Sequence, residues 1–276
     1  GQPKIRVFYP KMAEDGYESK HAVLEVLNDD MPFLIDSLTS ELSRHGFAMY
    51  ETLHPIFKVL RNKSGELTGL DSSGARDESF IHFEITHLPE GLTADQLKGD
   101  MEWVLTHVRA AVEDWKPILE KAEIRIEKLN KSKGSFDAEK ISEAKDFLRW
   151  LIDRNFTFLG YVEYDFFDAK GKETLSIVPD TKLGILKITD HVSAASHTEG
   201  LPDEQRHFLL VPQLIEIPKS NRRSPVHRGI PMDVIGFKRF DAKGKVIGEA
   251  RFVGLFTSNV YYQSCDDIPL LRQKVA

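Results

Sequence analysis

The apolar residues over positions 5–115 switch between strand and helix spacing in an order that few architectures accept. IRVFY at 5–9 and HAVLEVLN at 21–28 are β-branched and apolar, with a polar, Gly-containing link at 11–20, and predict two strands. Leu34, Leu38 and Leu42 then recur every four residues, Ile35 widens the stripe, and Gly46 is placed to end a helix. Asp29 or Asp30 can cap that helix, and Pro32 suits its first turn. Residues 48–60 and FIHFEITH at 80–87 predict further strands around a polar, Gly-rich hairpin link at 63–76. Leu97, Met101, Val104, Leu105, Val108, Val112 and Trp115 fall on one face of a long helix, which Pro117 bends or restarts. Strand, strand, helix, strand, strand, helix makes one antiparallel sheet with helices on one face. The expectation is a ferredoxin-like α/β sandwich, its last strand moved to the N-terminus.

The chain has 276 residues, enough for two ordinary cores. Residues 120–140 are dense in Lys and Glu and contain KSKGS, which predicts a solvated helix end, a linker and a boundary near residue 132. The domains expected are 1–132 and 133–262, with 263–276 starting a connection to a further domain. Ile141, Ala144, Phe147, Leu148, Leu151 and Ile152 share one face of a helix that leads into the strand FTFLGYVEYDFF. FDAKGK occurs at 167–172 and again at 240–245, a hairpin turn with Gly171 and Gly244 where φ must be positive. With LGILKI, HFLLVPQLIEI and a hairpin over 234–257, the second half is mostly antiparallel sheet, and the class is α+β.

Lys plus Arg number 37 against 43 Asp plus Glu, so no chain-wide positive field exists to hold nucleic acid. Cys265 is the only cysteine, which suits a reducing compartment, and no run has the length of a membrane span. The start, GQPKIRVFYP, has no apolar signal core, and the expected location is the cytoplasm. A Gly start and the uncapped amphipathic end IPLLRQKVA read as a segment cut from a longer chain. No GxG occurs, so no dinucleotide site and no cofactor are expected in these residues.

His82, Glu84 and His87 superficially resemble a metal motif, but a strand points His87 away from the other two, and no metal is expected. Ser142 and Lys145 have the spacing of a nucleophilic pair yet lie on an amphipathic helix, so no catalytic residue is assigned. The strand-to-helix junction Asn28, Asp29, Asp30, Met31 and Pro32 presents backbone N–H groups that either hold a small ligand's carboxylate or are capped by Asp30. Its carboxylates suit the ammonium group of an amino acid. Lys219, Arg222, Arg223, His227 and Arg228, in KSNRRSPVHR, form the one concentrated positive patch, read as an exposed loop that grips an anion or docks on acidic residues of a neighbouring domain. Gly160 and Gly236, beside aromatic strand residues, mark either a pocket or tight packing.

NDDMPFLIDSLTSEL at 28–42 and HPIFKVLRNKSGEL at 54–67 resemble the N-terminal region of the very large bacterial NAD-specific glutamate dehydrogenases. So do NFTFLGYVEYDFF, LGILKI, KSNRRSPVHR and IGFKRFDAKGKVIGEARFVGLFTSNVY, in the family's order from about residue 20. The resemblance implies an ACT-like first half and a PAS-like or further ACT-like second half. It implies a regulatory and assembly role, with NAD and the catalytic lysine in a downstream region, and with downstream domains, other subunits of a homo-oligomer and an amino-acid effector as partners. It places the effector site at residues 28–32, where Met31 stands in place of the small residue usual in ACT domains and would fill the pocket.

Overall fold

A computed structural model gives the structure over residues 1–71, 73–131, 136–169, 172–188, 213–241 and 243–275. The contacts divide the chain into one unit of Gly1–Arg109 with Pro225–Gly229 and a second of Ala110–Ser224 with Ile230–Ala276.

The first unit runs β1 (Lys4–Phe8), α1 (Met12–Asp15), β2 (Ala22–Asp29), α2 (Leu34–Arg44), β3 (Met49–Leu53), β4 (Ile56–Arg61), β5 (Leu67–Leu70) and β6 (Arg76–Ile85) into α3 (Ala94–Glu113). The sheet is antiparallel: β1 pairs β2, β2 pairs β6, and β3 and β4 follow one another along the far side of β6, with β5 beyond β4. β3 and β4 are thus the single strand expected over 48–60, broken at His54-Pro55. Proline has no N–H to give to the ladder, and the Pro55 carbonyl accepts from Phe80 N at 3.0 Å instead. The N-terminal β1 fills the edge beside β2 that a last strand would fill, as the apolar spacing predicts. Period-two alternation in β2 and β6 turns Leu24, Val26, Ile81, Phe83 and Ile85 to one face. There they form a buried core with Leu34, Leu38 and Leu42 of α2 and Leu97, Met101 and Val108 of α3. Each such side chain contributes about 1.5–3 kcal/mol of burial.

The second unit contains α4 (Trp115–Lys131), α5 (Ala138–Trp150), β7 (Phe156–Ala169), β8 (Lys172–Ile177), β9 (Leu183–Gly184), β10 (Ile215–Glu216), β11 (Lys219–Arg223), β12 (Pro231–Phe240) and β13 (Val246–Phe256). Its antiparallel sheet has the order β10-β12-β13-β7-β8, with β11 also on β12 and β9 also on β7. Ile118, Ala122 and Leu129 of α4 and Ile141, Ala144, Phe147 and Leu148 of α5 pack on Phe156, Phe158, Tyr161, Ile235, Phe237, Ala250 and Phe252 of the sheet.

The division between units therefore falls before α4 and not near residue 132, because α4 buries an apolar stripe in the second core. Pro117 restarts the helix: α3 ends at Glu113, α4 begins at Trp115, and a first-turn proline has no N–H to leave unpaired. Residues after 262 also stay with this unit, since Leu270 N donates to Glu143 Oε2 at 2.9 Å and Arg272 pairs with the same carboxylate. LGILKI is not a strand; only Leu183 and Gly184 pair with β7, and Gly184 at φ 62° turns the chain into a 3-10 turn, Ile185–Lys187. KSNRR is strand β11 and not a loop. The turn at 240–245 forms as expected, with Gly244 at φ 80° and the Asp241 carboxylate accepting from Lys243 N and Lys245 N. Gly171, the KSKGS residues 132–135 and the HFLLVP segment of the expected strand lie outside the described residues.

Candidate functional site

The residues read as an effector loop sit where β2 runs toward α2 in the first unit. Asn28 is buried, and its amide nitrogen donates to the Asp29 carbonyl at 2.7 Å. The Arg109 guanidinium, reaching in from α3, donates to Asn28 Oδ1 at 3.1 Å and to Asp29 Oδ2 at 2.9 Å. Burial pushes the Asp29 carboxyl up, while the hydrogen bond and charge of Arg109 act in the opposite direction and favour its ionised form. Asp30 does not cap α2: its Oδ1 accepts from Ser79 Oγ at 2.6 Å, and that hydroxyl lies 2.9 Å from His54 Nε2. The helix begins later than expected, at Leu34, with Phe33 in the left-handed region at φ 72° and no side-chain cap. Pro32 accordingly precedes the first turn.

A cleft of about 230 Å³ opens beside this strand end, lined in part by Asn28, Asp29, Lys4, Arg61, Arg76 and Glu78. Asp30, Met31 and Pro32 do not line it, so the Met31 side chain does not fill it. Glu78, buried on β6, takes a forked pair from Arg61 at 2.7–3.0 Å and a further bond from Arg76 at 2.9 Å. The Arg61 hydrogen bond is the main cause that holds Glu78 below the ordinary carboxylate range. Arg76 is half-exposed at the rim and lies 3.7 Å from Asp29. The cleft therefore offers guanidinium groups for a carboxylate next to an aspartate for an ammonium group. Sequence reading found Asn28 and Asp29 but not Arg61, Arg76 or Arg109; these are scattered basic residues that only strand pairing and α3 bring together.

The stretch read as one positive patch is divided. Lys219, Arg222 and Arg223 lie on β11, and Lys219 pairs with Asp233 at 2.7 Å in the second unit. His227 and Arg228 lie in the loop that folds with the first unit. There His227, at φ 68°, has its Nδ1 2.7 Å from Asp36 Oδ2, and its N–H donates to Ser37 Oγ at 2.9 Å. Val226 beside it is fully buried.

On the sheet face opposite the second core, β12 and β13 carry Gly236, Lys238, Glu249 and Arg251. Lys238 is fully buried, its Nζ 2.7 Å from Glu249 Oε2 and 3.2 Å from Glu216 Oε2, while Arg251 Nε donates to Glu249 Oε1 at 2.8 Å. Burial raises the Glu249 carboxyl, but Arg251 and Lys238 outweigh it and hold the group low. Burial pushes Glu216 up against the opposing pull of Lys238. Gly236 leaves the room this cluster needs, since a Cβ there would stand 2.8 Å from Glu249 Oε1. A Cβ at Gly160 would likewise meet Leu186 at 2.8 Å, so both glycines mark close packing.

His82 lies 3.3 Å from Glu25, Glu84 pairs with Ser19 and His21, and His87 stacks on Tyr9, so the suspected metal motif does not converge. Ser142 is exposed on α5. Among the described residues Glu41, His45 and Asp100 do converge, with donor atoms within 4.8 Å of one another. Arg44 already pairs with Glu41, and His45 Nε2 lies 2.9 Å from Asp100, which makes this a polar tie between α2 and α3. The strand pairings described in both sheets are antiparallel.

Residues 1–101, the sheet and helices that hold this cleft, match the family described as "Glutamate dehydrogenase, ACT1 domain". Over 279 residues, 99% of the chain, 34% are identical to the NAD-specific glutamate dehydrogenase of Halomonas elongata. The chain is a relative of the large NAD-specific glutamate dehydrogenases. The enzyme of that name from Pseudomonas aeruginosa is also 34% identical, over 280 residues and 100% of the chain. That from Mycobacterium tuberculosis is 29% identical over 144 residues, 50% of the chain and 9% of the relative. The chain spans 17% of the length of the Halomonas and Pseudomonas relatives. The ACT1 match coincides with the ferredoxin-like first unit, and no helix among the described residues is long and apolar enough to cross a membrane.

Proposed function

We propose that this chain is the N-terminal regulatory and assembly segment of a cytoplasmic, homo-oligomeric, NAD-dependent glutamate dehydrogenase. The parent reaction is oxidation of L-glutamate by NAD and water to 2-oxoglutarate, ammonium and NADH, carried out by a downstream region. The second unit is PAS-like or a further ACT-like module. The observation that carries this reading is the cleft at the end of β2, which lies inside the ACT1-matching residues and pairs guanidinium groups with Asp29. An amino acid there places its carboxylate on Arg76 and its ammonium group on Asp29. If it binds one arrangement of the modules more tightly, it shifts the active and inactive populations of the parent.

Thermal unfolding of the chain with each of the twenty amino acids tests this, because a ligand at 100 times its Kd adds about 2.7 kcal/mol. The expected result is a selective rise in melting temperature that Asp29→Asn or Arg76→Ala abolishes. Silence across all the amino acids, or a rise that survives both substitutions, contradicts it.

A purely structural reading rests on a different observation. Tyr50, Leu53, Ile56, Leu67 and Leu70, along β3, β4 and the edge strand β5, are each about half exposed. On that reading the chain self-associates without ligand and Leu53→Glu weakens the association. Sedimentation showing only monomer at high concentration removes it.

A further inference from the structure

The sheet of the second unit ends at β10, which pairs with β12 alone among the described residues. Lys238 N donates to the Leu214 carbonyl at 3.2 Å, and Val234 N donates to the Pro218 carbonyl at 3.0 Å. In an antiparallel ladder alternate residues turn their backbone groups to the same neighbour, so Leu214, Glu216 and Pro218 face β12. Ile215 and Ile217, between them, turn their N–H and C=O groups to the open side. Such an edge is a template for a further strand.

That edge borders a cleft of about 770 Å³ between β10, α5 and the short helix Arg272–Val275. Phe136, Ala144, Leu214 and Leu270 give it apolar walls. Ile215, level with the core residue Phe237, and Ile217 present their side chains on the same sheet face and also line it. The two acids of the lining are already engaged. Glu143 accepts from Leu270 N and Arg272, and Glu216 is turned to the opposite sheet face beside Lys238. The two lysines of the lining, Lys140 and Lys274, are exposed, and no acid among the described residues pairs with either.

The cleft thus joins outward backbone groups, apolar walls and a positive rim. Strand addition takes its affinity from main-chain hydrogen bonds and its specificity from pockets for alternate side chains. A second copy of the same edge would bring its own Lys140 and Lys274 against these lysines, a like-charge contact. An acidic partner complements them.

We infer that this cleft takes an extended, acidic peptide segment of a partner protein, added antiparallel to β10 with apolar side chains at alternate positions on the walls and carboxylates toward Lys140 and Lys274. The site lies in the other unit from the amino-acid cleft, and its test is independent of that reading.

The test is isothermal titration of the 276-residue chain with a capped pentapeptide that has a glutamate at each end and two valines flanking a central threonine. In the added strand the valines share the face of Ile215 and Ile217 and aim their N–H groups at β10, while the threonine N–H points away. Saturable binding with a Kd of about 1 mM or below is expected. Methylating both valine nitrogens abolishes it, and methylating the threonine nitrogen leaves it intact. Lysines in place of the end glutamates weaken it about fivefold or more. Ile217→Pro removes one outward N–H and weakens it about fivefold. The exposed pair Lys140→Glu/Lys274→Glu reverses the preference between the two peptides, and decides alone if Ile217→Pro fails to fold. No saturable binding, equal affinity for the two peptides, or binding unchanged by valine methylation overturns the proposal. So does a dimer of the chain, formed without peptide, that Ile217→Pro disperses, because the edge then serves a second copy.

Discussion

Arg61 and Glu78 show how a buried charge is tolerated in the first unit. Glu78 is only 3% exposed on β6, and the Arg61 fork with Arg76 behind it satisfies both oxygens. Arg61→Ala leaves the carboxylate with one half-exposed partner and is expected to destabilise the chain by about 3 kcal/mol in urea unfolding. The Arg61 and Arg272 hydrogen bonds hold Glu78 and Glu143 below the ordinary glutamate value of 4.5. A carboxyl lowered on folding contributes stability that is fully present above its unfolded value and lost as pH falls through its lower folded value. Stability is thus expected to be level in these two groups from neutrality down to about pH 4.5 and to fall below it. Glu78→Gln should flatten that acid limb while lowering stability at neutral pH, read from melting temperature against pH. The Arg61–Glu78 pair was not legible in the sequence, because its partners lie 17 positions apart and meet only through the pairing of β4 with β6.

Between α3 and α4 the break at Asp114 has a partner of its own. The Asp114 carboxylate accepts from Gly184 N at 2.6 Å and from Lys187 Nζ at 2.8 Å, and so fixes the turn that follows β9. Asp114→Ala should cost about 2 kcal/mol and speed amide exchange at Gly184 and Ile188, while exchange in β2 and β6 stays unchanged. Gly244→Ala places a Cβ at φ 80° in the β12–β13 hairpin and should cost about 1 kcal/mol, read as a lower melting temperature. Elements of this size were legible wherever a long apolar period ran through them: the Leu34, Leu38, Leu42 stripe, the α3 face, and the hairpin of β12 and β13. Short elements were not, because their conformation is set by a neighbour. KSNRR becomes a strand only because β12 offers it a ladder, and LGILKI breaks because Gly184 adopts a positive φ beside β7. The α2 start was missed for a related reason: Ser79 claims the Asp30 carboxylate that local chemistry assigned to the helix cap.

Across the whole chain, strand order was legible to the point of placing the N-terminal strand beside β2, and residues 1–101 carry the ACT1 match. The candidate cleft was legible only in part, since its anionic side is a contiguous motif and its cationic side is assembled by tertiary structure. On this account the chain senses and assembles while a longer parent carries out the chemistry. The most direct test measures glutamate-dependent NADH formation by that full-length parent, against the concentration of the amino acid that stabilises this chain, in the wild type and in Asp29→Asn/Arg76→Ala. The account predicts a response in rate or KM that the double substitution removes. An effector response of the same size in both proteins would contradict it.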